Sequence, residues 1–170
     1  KASKISPKES YILEELGNVY NYDLNKYKKA IEYYSTAIGL KPDFVKAYAN
    51  RAFAYENINN FQKSILDYKK AIEINNSDPN LYNYLSNAQY VLGKNQEALT
   101  NINKAIDLKN DVKEFHYLKG LIYASLKNDK ETCFAFQKSS DLGYADFIRK
   151  THNRWKWQCE RILNPDPWKK

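Results

Sequence analysis

The sequence predicts an all-α protein, a right-handed superhelical stack of about nine helices arranged as antiparallel pairs. Three observations carry that expectation. Residues of matched size recur at a step of 34 along the chain. Only five Gly and five Pro punctuate 170 residues, too few for an all-β chain with many tight turns. Apolar residues fall at i, i+3, i+4 and i+7, as in Ile65, Tyr68 and Ile72.

The repeat is visible in several registers at once. Ala37, Ala71, Ala105 and Ser139 stand 34 residues apart, as do Ala30, Ser64, Ala98 and Thr132. Bulky residues keep the same step at Tyr34, Tyr68, Ile102 and Phe136, and aliphatics at Leu40, Ile74, Leu108 and Leu142. Ala52, Ser86 and Gly120 form a further small set; Gly17 comes one residue early, which assigns an extra residue to the internal loop of the first repeat. Two antiparallel helices approach to about 8–10 Å only where the crossing carries little side-chain volume, so small residues at the crossing and large ones beside it have a mechanical reason.

Each copy divides into two amphipathic helices separated by breakers at Asp23 to Asn25, Asn57 to Asn60, Gly93 to Asn95 and Lys127 to Asn128. Helix starts are marked by Ser6, Pro7 and Glu9 as a capping box, by Ser77 or Asp78 before Pro79, and by Asp111 with Glu114. The expected repeats run over residues 10–44, 45–78, 79–112 and 113–144. One more amphipathic helix over 145–163, with Phe147, Ile148, Trp155, Cys159 and Ile162, would cover the last repeat. The reading is thus one domain over 7–163 with tails at 1–6 and 164–170.

These residues resemble the tetratricopeptide repeat family. Leu16, Gly17, Tyr20, Tyr27, Ala30, Tyr34, Ala37 and Pro42 match its repeat almost slot for slot, and Tyr48, Ala52, Tyr55, Phe61, Tyr68 and Ala71 give a second copy. The third copy departs with Gln89 where Tyr is usual, and the fourth has Thr132 and Ser139 in small slots. The resemblance covers roughly residues 7–142 and implies that the first helix of each repeat lines a concave groove.

By that resemblance the groove slots hold Glu14, Glu15, Asn18 and Tyr22, then Lys46, Asn50, Phe53 and Asn57. The third and fourth first-helices add Asn80, Asn83, Tyr84, Asn87, Tyr90, Tyr117, Leu121 and Ser125. An Asn side chain offers both a donor and an acceptor and can satisfy a peptide unit of an extended ligand, so Asn18, Asn50 and Asn87 are the expected clamps. Phe53, Tyr84 and Tyr117 would supply apolar area at low entropic cost, with Lys46 beside them. Co-chaperone members of the family hold an acidic chaperone tail with two Asn and three basic residues. Asn18 and Asn50 match the Asn slots, but the basic slots hold Glu14, Asn80 and Tyr84, so binding of such a tail is not expected.

Catalysis is not expected either: no Ser with an adjacent base, phosphate-cradling Gly loop or paired carboxylates in a cleft appears, and no cofactor or metal is implied. His116 fills a slot for a large core aromatic and reads as a packed histidine, while His152 reads as a surface residue of the last helix. Cys133 and Cys159 have no second pair and no CxxC spacing, which argues against a disulfide framework or zinc site; Cys133 reads as a small buried hydrophobe.

The net charge of +7 lies at the ends, +2 over residues 1–10 and +5 over 149–170, and the body between is neutral. Arg149, Arg154 and Lys156, interleaved with Trp155 and Trp157, form a possible secondary basic site for an acidic surface or nucleic acid. A solvated outer face is the stronger reading of those cations, and nucleic acid is not the expected partner. Self-association through Trp168 or the last helix is a third possibility. No stretch of about 20 apolar residues exists to span a bilayer. With Lys at position 1 and no Met, the chain reads as a fragment or processed form, and its compartment stays open.

Overall fold

The computed structural model describes residues 7–146 together with residues 148, 159, 162 and 163. Eight α-helices follow one another: α1 Pro7–Asn18, α2 Tyr27–Leu40, α3 Val45–Asn57, α4 Phe61–Ile74, α5 Pro79–Val91, α6 Asn95–Leu108, α7 Lys113–Ser125 and α8 Asp129–Ser139. No strand occurs among the described residues. Each helix packs chiefly on its neighbours in sequence, so the hairpins α1/α2, α3/α4, α5/α6 and α7/α8 stack in chain order. The expected ninth helix lies largely outside the described residues, but Ala145, Asp146, Ile148, Cys159, Ile162 and Leu163 are helical.

The 34-residue sets meet at the hairpin crossings. Ala30, Ser64, Ala98 and Thr132 are wholly buried, as are Ala37, Ala71, Ala105 and Ser139. Beside them Tyr34, Tyr68, Ile102 and Phe136 fill the space, all buried. The fit is tight enough that a Cβ on Gly17 would enter the Tyr34 ring and one on Gly120 the Phe136 ring. Each second helix also meets the next first helix: Ala54 of α3 joins Ala30 and Tyr34, Leu85 and Ala88 of α5 join Ile65 and Tyr68, and Phe115, Leu118 and Ile122 of α7 join Ala98, Ile102 and Ala105. Burying each large apolar side chain stabilises by roughly 1.5–3 kcal/mol.

The four internal turns also repeat. Asn25, Asn59, Gly93 and Lys127 all have φ between 50° and 72°, and they too are spaced by 34. That left-handed turn needs a residue that tolerates positive φ, which Gly and Asn do at little cost and Lys does at more. In three repeats the residue after it donates to a carbonyl five positions back: Asn60 to Tyr55, Lys94 to Gln89 and Asn128 to Tyr123. In the first repeat Lys26 reaches six back, to Tyr20 at 2.7 Å. The turn itself therefore keeps its length. The extra residue of the first repeat, assigned from sequence to the loop, is instead absorbed inside the helix, where Val19–Asp23 widens to π geometry. A second π turn, Ser140–Tyr144, follows α8 and carries Gly143 at φ 96°.

Of the expected caps, Asp78 holds: its side chain accepts from Asn80 N at 2.9 Å ahead of Pro79. Ser6 lies outside the described residues. Asp111 does not cap α7, which begins at Lys113 after Val112 and has no side-chain cap bond. Asn60 and Asn128 cap α4 and α8 by accepting from Lys63 N and Glu131 N.

The cysteines overturn the sequence expectation. Cys133 of α8 is wholly buried, yet it is bonded to Cys159, 26 residues on, with the Cα atoms 5.2 Å apart. A lone pair of cysteines needs no CxxC spacing when the fold brings the second against the first, and spacing in sequence carries no information about that approach.

Candidate groove site

The residues expected to line a groove lie on the first helices of the hairpins, α1, α3, α5 and α7, with Tyr22 in the π turn after α1. At the start of the stack three side chains from α1 and α3 form one hydrogen-bonded cluster. Glu14 Oε1 accepts from Asn18 Nδ2 at 3.0 Å and from Asn50 Nδ2 at 2.7 Å. Asn50 Nδ2 also donates to Asn18 Oδ1 at 2.9 Å, and Tyr34 Oη donates to that same oxygen at 2.9 Å. Glu14 and Asn18 lie one turn apart on α1, and Asn50 enters from α3, so the stacking of two hairpins makes the cluster.

The cluster is half-sunk. Glu14 is only 4% exposed, whereas Asn18 and Asn50 are partly accessible. Among the described residues no cation forms an ion pair with Glu14. Burial pushes the Tyr34 phenol far above its usual range, with Tyr22, Glu14 and Glu15 adding to it, so Tyr34 stays a neutral donor to Asn18.

Aromatic side chains continue from the cluster. Tyr22 stacks on Phe53 with ring centroids 5.7 Å apart, and Tyr84 packs on Tyr68 at 5.8 Å. All three outer rings remain accessible, Tyr22 at 54%, Phe53 at 39% and Tyr84 at 45%. The Tyr22 phenol is raised above its usual range by burial, against a lowering contact from Asn21, and the nearby Tyr84 and Glu14 raise it further. Tyr22 thus joins the stacked Phe53 ring to the neighbourhood of Glu14. Tyr117 of α7 is packed between Phe136 at 5.7 Å and Tyr144 at 5.5 Å.

Other sequence-derived groove residues fall differently. Lys46 and Asn87 are exposed on α3 and α5. Tyr90 is half-buried and packs against the α6/α7 core. Arg149, Arg154, Lys156 and His152 lie outside the described residues. His116 is buried, 8% exposed, and Nε2 sits 2.8 Å from the Asn110 carbonyl, so it is a packed donor in an aromatic slot. The structure adds a feature that sequence reading missed: Arg51 of α3 bonds Asp67 of α4 through Nε at 2.7 Å and Nη2 at 2.8 Å, and Nη1 meets Ser35 of α2 at 3.0 Å. Arg51 and Asp67 are 16 apart in sequence, and only the hairpin geometry pairs them. No cluster of three or more metal-binding side chains occurs among the described residues, and no described helix is long and apolar enough to cross a membrane.

A stack of helical hairpins in chain order is the architecture of a helical repeat solenoid. The chain carries tetratricopeptide repeats: residues 21–59 match the TPR repeat family and residues 45–78 the tetratricopeptide repeat family. It is 35% identical over 85 residues to the small glutamine-rich tetratricopeptide repeat-containing protein 2 of Saccharomyces cerevisiae, covering 50% of this chain and 25% of that protein. It is 30% identical over 107 residues to the Hsp70-Hsp90 organizing protein 3 of Arabidopsis thaliana, covering 63% of this chain and 19% of that protein. A UDP-N-acetylglucosamine–peptide N-acetylglucosaminyltransferase of Giardia intestinalis is 33% identical over 94 residues, covering 55% of this chain and 6% of the enzyme. The chain thus spans a quarter or less of each of these relatives.

Among solved structures, the first TPR of Spaghetti (RPAP3) bound to the HSP90 peptide SRMEEVD superposes with a TM-score of 0.69 and 25% identity, over 73% of this chain and 98% of that one. MamA superposes with a TM-score of 0.78 at 17% identity, over 92% and 93% of the two chains, and shares the fold.

Proposed function

We propose that this protein is a non-enzymatic scaffold that binds an extended segment of a partner protein in the groove lined by α1, α3, α5 and α7. The observation that carries the reading is the half-sunk Glu14–Asn18–Asn50 cluster flanked by accessible Phe53 and Tyr84. Polar atoms at the floor can register a peptide backbone, while the aromatic rings supply contact area that loses little entropy on binding. The RPAP3 domain, which has the same architecture, holds a peptide in its solved complex, and this supports the reading by analogy. Lys46, Asn87 and Tyr117 extend the proposed surface along the stack. The unit we assign to this role is residues 7–163, four repeats with a terminal helix.

The test begins with capture of a partner on the immobilised chain, followed by isothermal titration with the shortest partner segment that binds. Asn50→Ala and the rim substitutions Phe53→Ala and Tyr84→Ala are expected to weaken that segment about tenfold each. A segment that binds all three variants as tightly as the parent would place the interface elsewhere.

A further inference from the structure

The hydrogen-bond inventory of the groove cluster specifies the charge of what it accepts. Glu14 as a carboxylate only accepts, so the amide nitrogens of Asn18 and Asn50 must be the atoms that face it. Asn50 Nδ2 spends both protons, one on Glu14 Oε1 and one on Asn18 Oδ1. Asn18 spends one on Glu14, and its oxygen already accepts from Asn50 and Tyr34. Among the described residues, what remains unused is Asn50 Oδ1, Glu14 Oε2 and a single Asn18 N–H. The floor of the groove therefore offers chiefly acceptors. It also holds Glu14, a residue 4% exposed overall, whose carboxylate is paired with no cation among the described residues. A charge this desolvated interacts more strongly with a counter-charge than a surface carboxylate does, because water screens it less.

The rings beside it complete the pattern. Tyr22 of the π turn after α1 stacks on Phe53 of α3, and Tyr84 lies on α5, all three rings accessible. Aromatic faces attract an ammonium or guanidinium group and gain nothing comparable from a carboxylate. Lys46, the cation one turn before Asn50, is exposed and solvated, so its opposing charge is screened where that of Glu14 is not.

We propose that the Glu14–Asn18–Asn50 cluster, walled by Tyr22, Phe53 and Tyr84, is a receptor for a cationic side chain, the Lys ammonium or Arg guanidinium of a basic peptide segment. The inference rests on the groove reading above and adds the chemistry of the ligand. The cation donates to Glu14 Oε2 and Asn50 Oδ1 and lies against the rings. An acidic segment meets a buried like charge and a floor with almost no free donors.

The experiment uses the full chain, 15N-labelled, titrated with two N-acetylated, C-amidated nine-residue peptides of Gly, Ser and three Lys or three Glu. The Lys peptide is expected to shift the Asn18 and Asn50 side-chain amide resonances saturably, and the Glu peptide to leave them in place. Glu14→Gln, which keeps the shape, should weaken the Lys peptide by about tenfold or more. Phe53→Leu, which keeps the cluster intact, should weaken it by about threefold or more. Amide dispersion of each variant verifies its fold. Unchanged affinity in both folded variants overturns the proposal. Shifts on α1 and α3 with the Glu peptide alone overturn the charge preference and leave the groove reading standing. Shifts confined to residues away from α1, α3 and α5 overturn both.

Discussion

Asn50 reaches across from α3 to donate to the Glu14 carboxylate of α1 at 2.7 Å, a bond between residues 36 apart in sequence that ties the first hairpin to the second. The same amide that would meet a ligand therefore also braces the stack. Asn50→Ala should lower stability by about 1–2 kcal/mol, because a buried carboxylate loses a donor, with helical content unchanged. Asn50→Asp should cost more, since it sets a second negative charge against Glu14. Urea unfolding followed by circular dichroism reads both, and an Asn50→Asp variant as stable as the parent would show that Glu14 is not held as described.

The hairpin crossings should discriminate sharply between glycines. Gly17→Ala drives a methyl into the Tyr34 ring and is expected to destabilise by about 1–3 kcal/mol. Gly39→Ala, with nothing within 4 Å of the new Cβ on α2, should be neutral or stabilise by about 0.5 kcal/mol. The difference in urea midpoint between the two variants is the measurement.

Loss of the Cys133–Cys159 bond should loosen the C-terminal end of the stack. The bond closes 26 residues of chain, for which loop-closure entropy gives about 3.5 kcal/mol. Cys159→Ser, which spares the buried Cys133 position, should lower the unfolding midpoint, and the variant should then be insensitive to dithiothreitol. Titration of two free thiols in the unreduced, denatured parent would refute the bond.

Glu56 gives the fold a pH dependence of defined sign. Burial holds its carboxyl above the usual carboxylate range, although Ser64 Oγ donates to it at 3.0 Å and Tyr68 also bonds to it, both of which pull the other way. A carboxyl whose folded pKa is raised binds its proton more tightly in the folded than in the unfolded chain. Its contribution is present below the unfolded pKa and is lost as pH rises through the folded value. Glu56→Gln should therefore gain stability relative to the parent at pH 7 and lose that advantage near pH 4. Parallel curves for parent and variant across that range would exclude the effect.

The sequence was most informative where one residue answers one local demand. Ala30, Ala37 and their counterparts mark crossings because only small side chains let helices approach, and Asn25, Asn59 and Gly93 mark turns because few residues accept positive φ. Lys127 was legible as part of a breaker only through Asn128 beside it, since its own side chain gives no sign of the positive φ it adopts. The residues of the groove cluster could be picked out by slot, but not their state. Whether Asn50 points its nitrogen or oxygen outward depends on Glu14, which sits on another hairpin.

Composition, period and small-residue spacing thus determine on their own that the chain is a stack of helical hairpins, because each is a short-range requirement repeated every 34 residues. Tertiary structure alone decided where the extra residue of the first repeat went, that Cys133 meets Cys159, that Arg51 pairs with Asp67, and that the amide donors of Asn18 and Asn50 turn toward Glu14. Those outcomes depend on atoms brought together from different helices, and distance along a chain does not encode proximity between separately folded elements.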